Sequence, residues 1–374
     1  MRTEGDFIKI TEWLLPLSWL YGIGVRFRNW MFDIGFLKSQ SYDTPIISVG
    51  NITVGGSGKT PHVEYLAKLL RKTAKVAVLS RGYKRKTKGY VLANEHTTMP
   101  QIGDEPFQIH RKFSDIYVAV DKNRRRGIDH LEHDAETCDV EVILLDDAFQ
   151  HRYVKPDVNI LLIDYHRLII YDRLLPAGRL REPKEGTSRA NIVIITKCPV
   201  DLNPMEFRVL TRAMNLFPFQ ELFFTTIKYN DLTAVFGNDH RPISSITPDT
   251  NVLLLTGIAS PQQMINDLQT TSKHITPLTF GDHHKFTRAD EERINRKFEA
   301  LPSPKIIITT EKDSTRLLQT KALNDKVKQN TYALTMEIKF LLDGEKEFDE
   351  KIIDYVRKNS RNSILAKRKN DNKA

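Results

Sequence analysis

The sequence is poor in cysteine, lacks a long apolar run and carries fewer acids than bases. It has two cysteines in 374 residues, Cys138 and Cys198, with no metal-like spacing. That count excludes a disulfide framework and makes a reducing compartment the default. The longest apolar-leaning run, residues 13–25, is interrupted by Pro16, Ser18, Gly22 and Gly24. It falls short of the about 20 residues that a membrane-crossing helix needs. The first residues carry Arg2, Glu4 and Asp6 in place of a basic start running into an apolar core, so no cleavable signal is expected. There is no internal repeat and no low-complexity tract. The 56 basic residues outnumber the 47 acidic ones, for a formal charge of +9. Such an excess suits an anionic partner, whether nucleic acid, phospholipid surface or phosphorylated substrate, without choosing among them. An apolar content of 40% and a charged content of 28% are those of a soluble globular chain long enough for two domains.

What is present is unevenly spread. All three tryptophans, Trp13, Trp19 and Trp30, fall within residues 1–40, with Phe7, Tyr21, Phe27, Phe32, Phe36, Arg26, Arg28 and Lys38. Aromatics mixed with Arg and Lys are the composition of an amphipathic helix lying at a membrane interface. The same pattern also fits a helix docked on its own domain or on another subunit.

From residue 45 onward short β-branched runs alternate with helix-like stretches: 46–49, 76–79, 117–120, 142–145, 158–163 and 192–195, then 252–255 and 306–309. This spacing predicts βαβ units around a buried parallel sheet. The rhythm lapses over roughly 201–250, where Pro, Asn and Asp accumulate. The expected organisation is therefore an N-terminal interfacial helix over 1–40, an α/β core over 41–220, a smaller α/β domain over 221–360, and a frayed basic tail over 361–374.

The strongest local signal begins at Ile46. A β-run enters the glycine-rich turn Thr53-Val54-Gly55-Gly56-Ser57-Gly58-Lys59-Thr60, and a helix pattern follows from Pro61. Glycines let successive N–H groups point at one anion, and the following helix adds its positive end. In such a P-loop Lys59 reaches the β- and γ-phosphates and the Thr60 hydroxyl ligates Mg²⁺. The full pattern asks for glycine where Thr53 stands. The partner motif, an apolar strand ending in an acid, is met by Val142-Ile143-Leu144-Leu145-Asp146-Asp147. Spacing does not tell which of the two acids faces the metal.

Candidates for the acceptor side are more ambiguous. In Gly103-Asp104-Glu105-Pro106 the two acids either cap a helix or place a carboxylate to take a hydroxyl proton. Asp282-His283-His284 reads as an ordinary loop, or as a histidine that completes a proton relay when domains close. Basic clusters at 81–86 and 122–126 follow strand-like runs, where the ligands of open α/β sheets collect. Part of each is a solvated face. Arg179 and Arg181 add guanidiniums suited to phosphate.

Together these motifs resemble the tetraacyldisaccharide 4′-kinase family of lipid A biosynthesis. The likeness rests on residues 50–61, Ser80-Arg81-Gly82-Tyr83, Gly103-Asp104-Glu105-Pro106, Asp146-Asp147-Ala148-Phe149-Gln150-His151, residues 175–183, residues 280–284 and Thr310-Glu311-Lys312-Asp313, in that order. Thr53 is itself a mark of this family. Ala148 departs from it, standing where glycine is more frequent. The resemblance implies a P-loop core, a smaller second domain and a hinge. It implies transfer of the γ-phosphoryl group of ATP, with Mg²⁺, to the 4′-hydroxyl of a tetraacylated, 1-phosphorylated glucosamine disaccharide. The work would be done at the cytoplasmic face of a bacterial inner membrane, on a lipid A precursor and without nucleic acid. It implies catalysis by an aspartate–histidine pair, Asp104 with His283 or His284, the latter favoured. Residues 53–60 would bind nucleotide, with Lys59 also catalytic. Thr60, Asp146, Asp147 and Glu105 would surround the metal, and Arg81, Tyr83, Arg124, His151 and Arg181 would contact the sugar phosphate.

Two other readings compete. A membrane-recruited P-loop GTPase or ATPase switch is suggested by Thr196-Lys197 after a strand, although Pro199 stands where the guanine-reading aspartate belongs. A nucleic-acid binder is suggested by the charge alone, without a helix-turn-helix, zinc finger or RNA-binding sheet motif.

Overall fold

The computed structural model describes residues 10–257, 261–281 and 284–371. The chain forms two compact units, Met1–Ile227 with Ile338–Ala374, and Lys228–Glu337.

In the first unit a short 3₁₀ turn leads into α1 (Leu15–Asp33). The core alternates β1 (Ile46–Gly50), α2 (Lys59–Leu70), β2 (Val76–Ser80), β3 (Val91–Leu92), α3 (Met99–Ile102), α4 (Asp104–Lys112), β4 (Tyr117–Val120), α5 (Arg124–His133), β5 (Val142–Asp146), β6 (Val158–Asp164), β7 (Ile192–Thr196) and α6 (Pro204–Met214), and then enters β8 (Glu221–Ala234). The β-branched runs become strands because both of their faces are covered. Every residue of β1, β2, β5 and β7 is buried, as befits a parallel sheet with helices on both sides. The strand order is β8-β7-β6-β1-β5-β2-β4-β3, parallel except for the β3 edge. Register pairs Val49 with Asp146 and Gly50 with Leu161. The loop after β1 therefore opens beside the end of β5, at the point where strand order switches direction and open α/β sheets bind ligands.

The second unit carries β9 (His240–Arg241), β10 (Asn251–Thr256), α7 (Gln262–Gln269), β11 (His274–Thr279), α8 (Arg288–Glu299), β12 (Lys305–Thr310), α9 (Glu311–Leu317), α10 (Asp325–Gln329) and most of β13 (Thr331–Phe340). Its strands β11-β10-β12-β13 run parallel. Its core is built around Leu253, Leu255, Ile307, Ile294 and Phe298.

Three sequence expectations change. The second domain ends earlier than residue 360, because the chain returns to the first unit within β13. Phe340 and the α11 (Gly344–Asp371) residues Phe348, Ile352 and Val356 pack into the same core as Ile47 and Val49. The tail expected to fray from 361 continues α11 to Asp371. The membrane-associated helix over 1–40 narrows to α1, and among the described residues no helix is long and apolar enough to cross a membrane. This helix is docked on its own unit through its small and polar face. Ser18 Oγ donates to Leu174 O (2.9 Å), and the Tyr21 hydroxyl donates to Arg181 O (2.6 Å). A Cβ added at Gly22 would stand 2.8 Å from the Leu174 side chain. The opposite stripe, Trp19, Leu20, Ile23, Phe27 and Trp30, is more than half exposed, at the spacing of one helical face.

Candidate functional site

The glycine-rich turn is held from three sides. On one, Thr53 bridges Leu180 in antiparallel fashion, Val54 N donates to Arg179 O (2.8 Å), and Arg181 N donates to Ile52 O (2.7 Å). The Val54 amide, expected at the nucleotide, is thus already committed. Beneath the turn, buried Asn51 donates through Nδ2 to Ser57 Oγ (2.8 Å) and Thr53 Oγ1 (3.2 Å), and Gln150 Nε2 donates to Asn51 O. From β7, Thr196 Oγ1 donates to Ser57 O (3.0 Å), while Lys197 Nζ bonds Gly56 O and Asp164 Oδ2 (2.6 Å). Lys197 therefore braces the loop backbone. Gly55 and Gly58 sit at φ +124° and +81°, conformations that L side chains strain to adopt. The first-turn amides of α2, at Lys59 and Thr60, have no intrahelical acceptor.

His62, one turn into α2, is fully buried. Its ring bridges Gly58 O (2.7 Å from Nδ1) and Thr225 Oγ1 (3.1 Å from Nε2). Gly58 O can only accept, so Nδ1 carries the proton and Nε2 accepts from the threonine. Burial pushes this imidazole down to about 4, against the Gly58 hydrogen bond that favours its charged form.

At the end of β5 the two acids differ. Asp146 is buried at the strand end and accepts from Ser80 Oγ (3.0 Å), whereas its Oδ1 has no hydrogen-bond partner. Burial, and then the charges of Glu105 and Asp147, push it up to about 7. Asp147 turns into the left-handed region (φ +48°) and faces Lys59 Nζ (3.6 Å) and Arg181 Nη1 (3.4 Å). Burial would raise it, but Lys59 and then Arg181 hold it below the usual carboxylate range. Thr60, the two aspartates and Glu105 are hard oxygen donors that suit Mg²⁺. Among the described residues, no group of three or more His, Cys, Asp or Glu could hold a metal by itself, so phosphate oxygens or water must complete any shell.

Asp104 opens α4 and is buried. The preceding Gly103 has φ +94°, and a Cβ there would stand 2.9 Å from Tyr83 O. Glycine is thus required to bring the Asp104 turn against the 82–83 backbone.

Arg81, Tyr83 and His151 meet in one cavity of about 670 Å³, lined also by Lys84, Arg85, Lys88, Lys122, Arg125, Arg126 and Tyr153. Arg124 lies outside it. Buried, it donates to Asp121 O (3.1 Å) and Asp146 O (3.0 Å), and ties the start of α5 to the end of β5. Burial brings its guanidinium down to about 10. Arg181 also lies outside, on Asp147. Burial, reinforced by Arg124 and Arg28, pushes His151 down to about 4 and keeps it neutral.

In the second unit His284 Nε2 bonds Asp290 Oδ2 (2.9 Å), the acid that also caps α8. His283 lies outside the described residues. Sequence reasoning missed the side-chain roles of Asn51, His62, Ser80 and Gln150. Three of these sit inside quoted motifs and His62 directly follows one, but nothing in their spacing announces the hydrogen bonds they make.

A family model described as tetraacyldisaccharide-1-P 4′-kinase matches residues 10–357. A protein of Phocaeicola vulgatus named tetraacyldisaccharide 4′-kinase is 55% identical over 362 residues, covering 96% of this chain and 99% of its own length. One of the same name from Bacteroides fragilis is 50% identical over 376 residues, covering 99% of this chain and 100% of its own. Among solved structures, the crystal structure of the "apo" form LpxK from Aquifex aeolicus in complex with ATP is similar, with a TM-score of 0.70 and 31% identity over 92% of this chain and 99% of that one. With the P-loop, the paired acids and the basic cavity on neighbouring strand ends, the chain belongs to the tetraacyldisaccharide 4′-kinase family.

Proposed function

We infer that the chain is a kinase of lipid A biosynthesis that transfers the γ-phosphoryl group of ATP to the 4′-hydroxyl of a tetraacyl glucosamine disaccharide 1-phosphate. The observation that carries this reading is the pairing of β1 with β5, with Lys59 3.6 Å from Asp147 and the neighbouring Asp146 bonded to Ser80, the residue before the cavity-lining Arg81. Phosphoryl transfer is mostly positioning and charge stabilisation, and the chain supplies both. The Lys59 ammonium and the amides of Gly56, Gly58, Lys59 and Thr60 grip the β- and γ-phosphates. Arg181, held on Asp147, leans toward the charge that develops on the transferring group.

Thr60, Asp146, Asp147 and Glu105 would hold Mg²⁺. The unpartnered Asp146 Oδ1 and the rise of Asp146 to about 7 mark a carboxylate cluster short of positive charge. When bound with the nucleotide, Mg²⁺ neutralises oxygens of the β- and γ-phosphates. Asp104 accepts the proton of the attacking hydroxyl. His284, oriented by Asp290, takes part in turnover. Arg81, Tyr83 and neutral His151 receive the sugar. The exposed stripe of α1 rests on the cytoplasmic face of the inner membrane, where an acylated substrate keeps its chains.

The test is incubation with γ-labelled ATP and the disaccharide lipid in detergent. Label is expected in lipid, and not with Lys59→Met. Label appearing only as free phosphate, with no labelled lipid, would refute the kinase reading and favour a switch ATPase.

A further inference from the structure

One buried ion pair ties together the strand ends of the second unit. Asp313, in the first turn of α9, is fully buried. Its Oδ2 accepts from the Gly257 amide (2.8 Å), just past β10, and from Thr310 Oγ1 (2.8 Å), at the end of β12. Its Oδ1 accepts from Nη1 of the equally buried Arg316 (2.7 Å). A buried ion pair is often no more stabilising than an apolar pair of the same volume, so its use here calls for a geometric reason.

That reason stands at Gly257. A Cβ added there would lie 2.9 Å from Asp313 Oδ1, 3.3 Å from Gly281 O and 3.4 Å from Arg316 Nη1. The acid, the guanidinium and the Gly281 carbonyl thus crowd one Cα, with no room for a side chain unless something shifts. The same Gly281 carbonyl accepts from His284 N (3.1 Å) and so closes the turn that leads to the histidine. Phe280 N donates to Thr256 O (2.7 Å), which rests the end of β11 on the end of β10. The Phe280 ring stacks on the His284 ring, with 4.8 Å between centroids, and packs on the core that contains Leu317 of α9. The imidazole is therefore oriented by Phe280 and Asp290, while its backbone reaches back through Gly281 to Gly257 and the ion pair.

We propose that Asp313 and Arg316 are positioning residues: they fix Gly257 as the seat of the Gly281 carbonyl, and so hold the 281–284 turn where its histidine serves phosphoryl transfer. The inference rests on the kinase reading above and deepens the part given there to His284. Both residues act through the backbone of the turn and not on the substrate.

Full-length protein is assayed with ATP and the tetraacyl disaccharide 1-phosphate in detergent. The variants are Gly257→Ala, Arg316→Met and Arg316→Lys, each alone and each combined with His283→Ala/His284→Ala. Misplacing a catalytic group by about 1 Å can cost about 10²-fold in rate. Gly257→Ala and Arg316→Met are each expected to lower kcat about tenfold or more, with KM for the lipid within about twofold. Arg316→Lys, which keeps the charge, should lose less than Arg316→Met. In the background without the histidines, the same substitutions should lower the residual kcat by less than about twofold, because the group they misplace is gone. Full additive losses in that background overturn the positioning role, as does an unchanged kcat in Gly257→Ala and Arg316→Met. Thermal melting shows whether Arg316→Met folds; Gly257→Ala leaves both partners of the ion pair in place and decides the matter if it does not. Wild-type turnover by His283→Ala/His284→Ala would remove the histidines from the reaction and the proposal with them, an outcome distinct from additivity. No labelled lipid from the wild type itself would sink the kinase reading.

Discussion

His62 ties the phosphate loop to β8 as a neutral group, so acid should loosen the site through this residue. Its bond to Gly58 O requires a protonated Nδ1, which in the neutral ring leaves Nε2 to accept from Thr225 Oγ1. A second proton, on Nε2, would turn the Thr225 hydroxyl from donor to acceptor and place a charge in a buried position. The folded protein resists protonation down to about 4, whereas the unfolded chain accepts it at the ordinary histidine value of 6.5. Because the folded value is depressed, the associated stability is complete above 6.5 and is lost as pH falls toward 4. At pH 4.5 the difference between these two values amounts to roughly 2.5 kcal/mol. Urea unfolding of wild type and His62→Asn is the assay, at pH 7 and at pH 4.5. At pH 7 the variant should be less stable by about 1 kcal/mol, for one lost hydrogen bond. By pH 4.5 the wild type should have lost roughly 2.5 kcal/mol more than the variant. Carboxylates and His151 titrate in both proteins and cancel. Parallel pH profiles for the two proteins would refute the burial argument.

Asp104→Asn should lower turnover about 10²–10⁴-fold, with ATP affinity within about twofold; unaltered turnover in the lipid kinase assay removes Asp104 from the chemistry. Gly103→Ala forces a Cβ to within 2.9 Å of Tyr83 O at φ +94°. It should cost on the order of 1–3 kcal/mol in thermal or urea unfolding, and a variant as stable as wild type would show that the turn relaxes freely. Trp19→Ser/Phe27→Ser should release the protein from anionic vesicles in flotation while kinase activity on detergent-dispersed lipid stays within about twofold, and retained flotation would discard the α1 stripe as the docking face.

Much of this was legible in the sequence, for identifiable reasons. The buried parallel strands announced themselves because both faces are largely apolar, so Val142–Leu145 reads without interruption and 46–49 with only Ser48 between its apolar residues. The β8 strand, Glu221–Ala234, did not, because it mixes Lys228, Asn230 and Asp231 with its apolar residues and only part of it is covered. The return of Phe340 and α11 to the first core is a long-range contact, and local patterning carries no record of it. At the site, the motif located Lys59 and both aspartates but could not divide their work. That division depends on backbone geometry: Asp147 swings out at φ +48° and Asp146 stays at the strand end. The family resemblance implies Arg124 as a contact for the sugar phosphate, and no local pattern shows that its side chain turns inward to two carbonyls.

The 2.6 Å bond from the Tyr21 hydroxyl to the Arg181 carbonyl has a mechanical consequence. Arg181 touches Asp147 through its side chain and zips to Ile52 through its amide. The first helix and the anion-gripping turn are thus two ends of one short strut. A displacement of that helix has a short covalent and hydrogen-bonded route to Asp147, beside those that run through Leu174 and Tyr153.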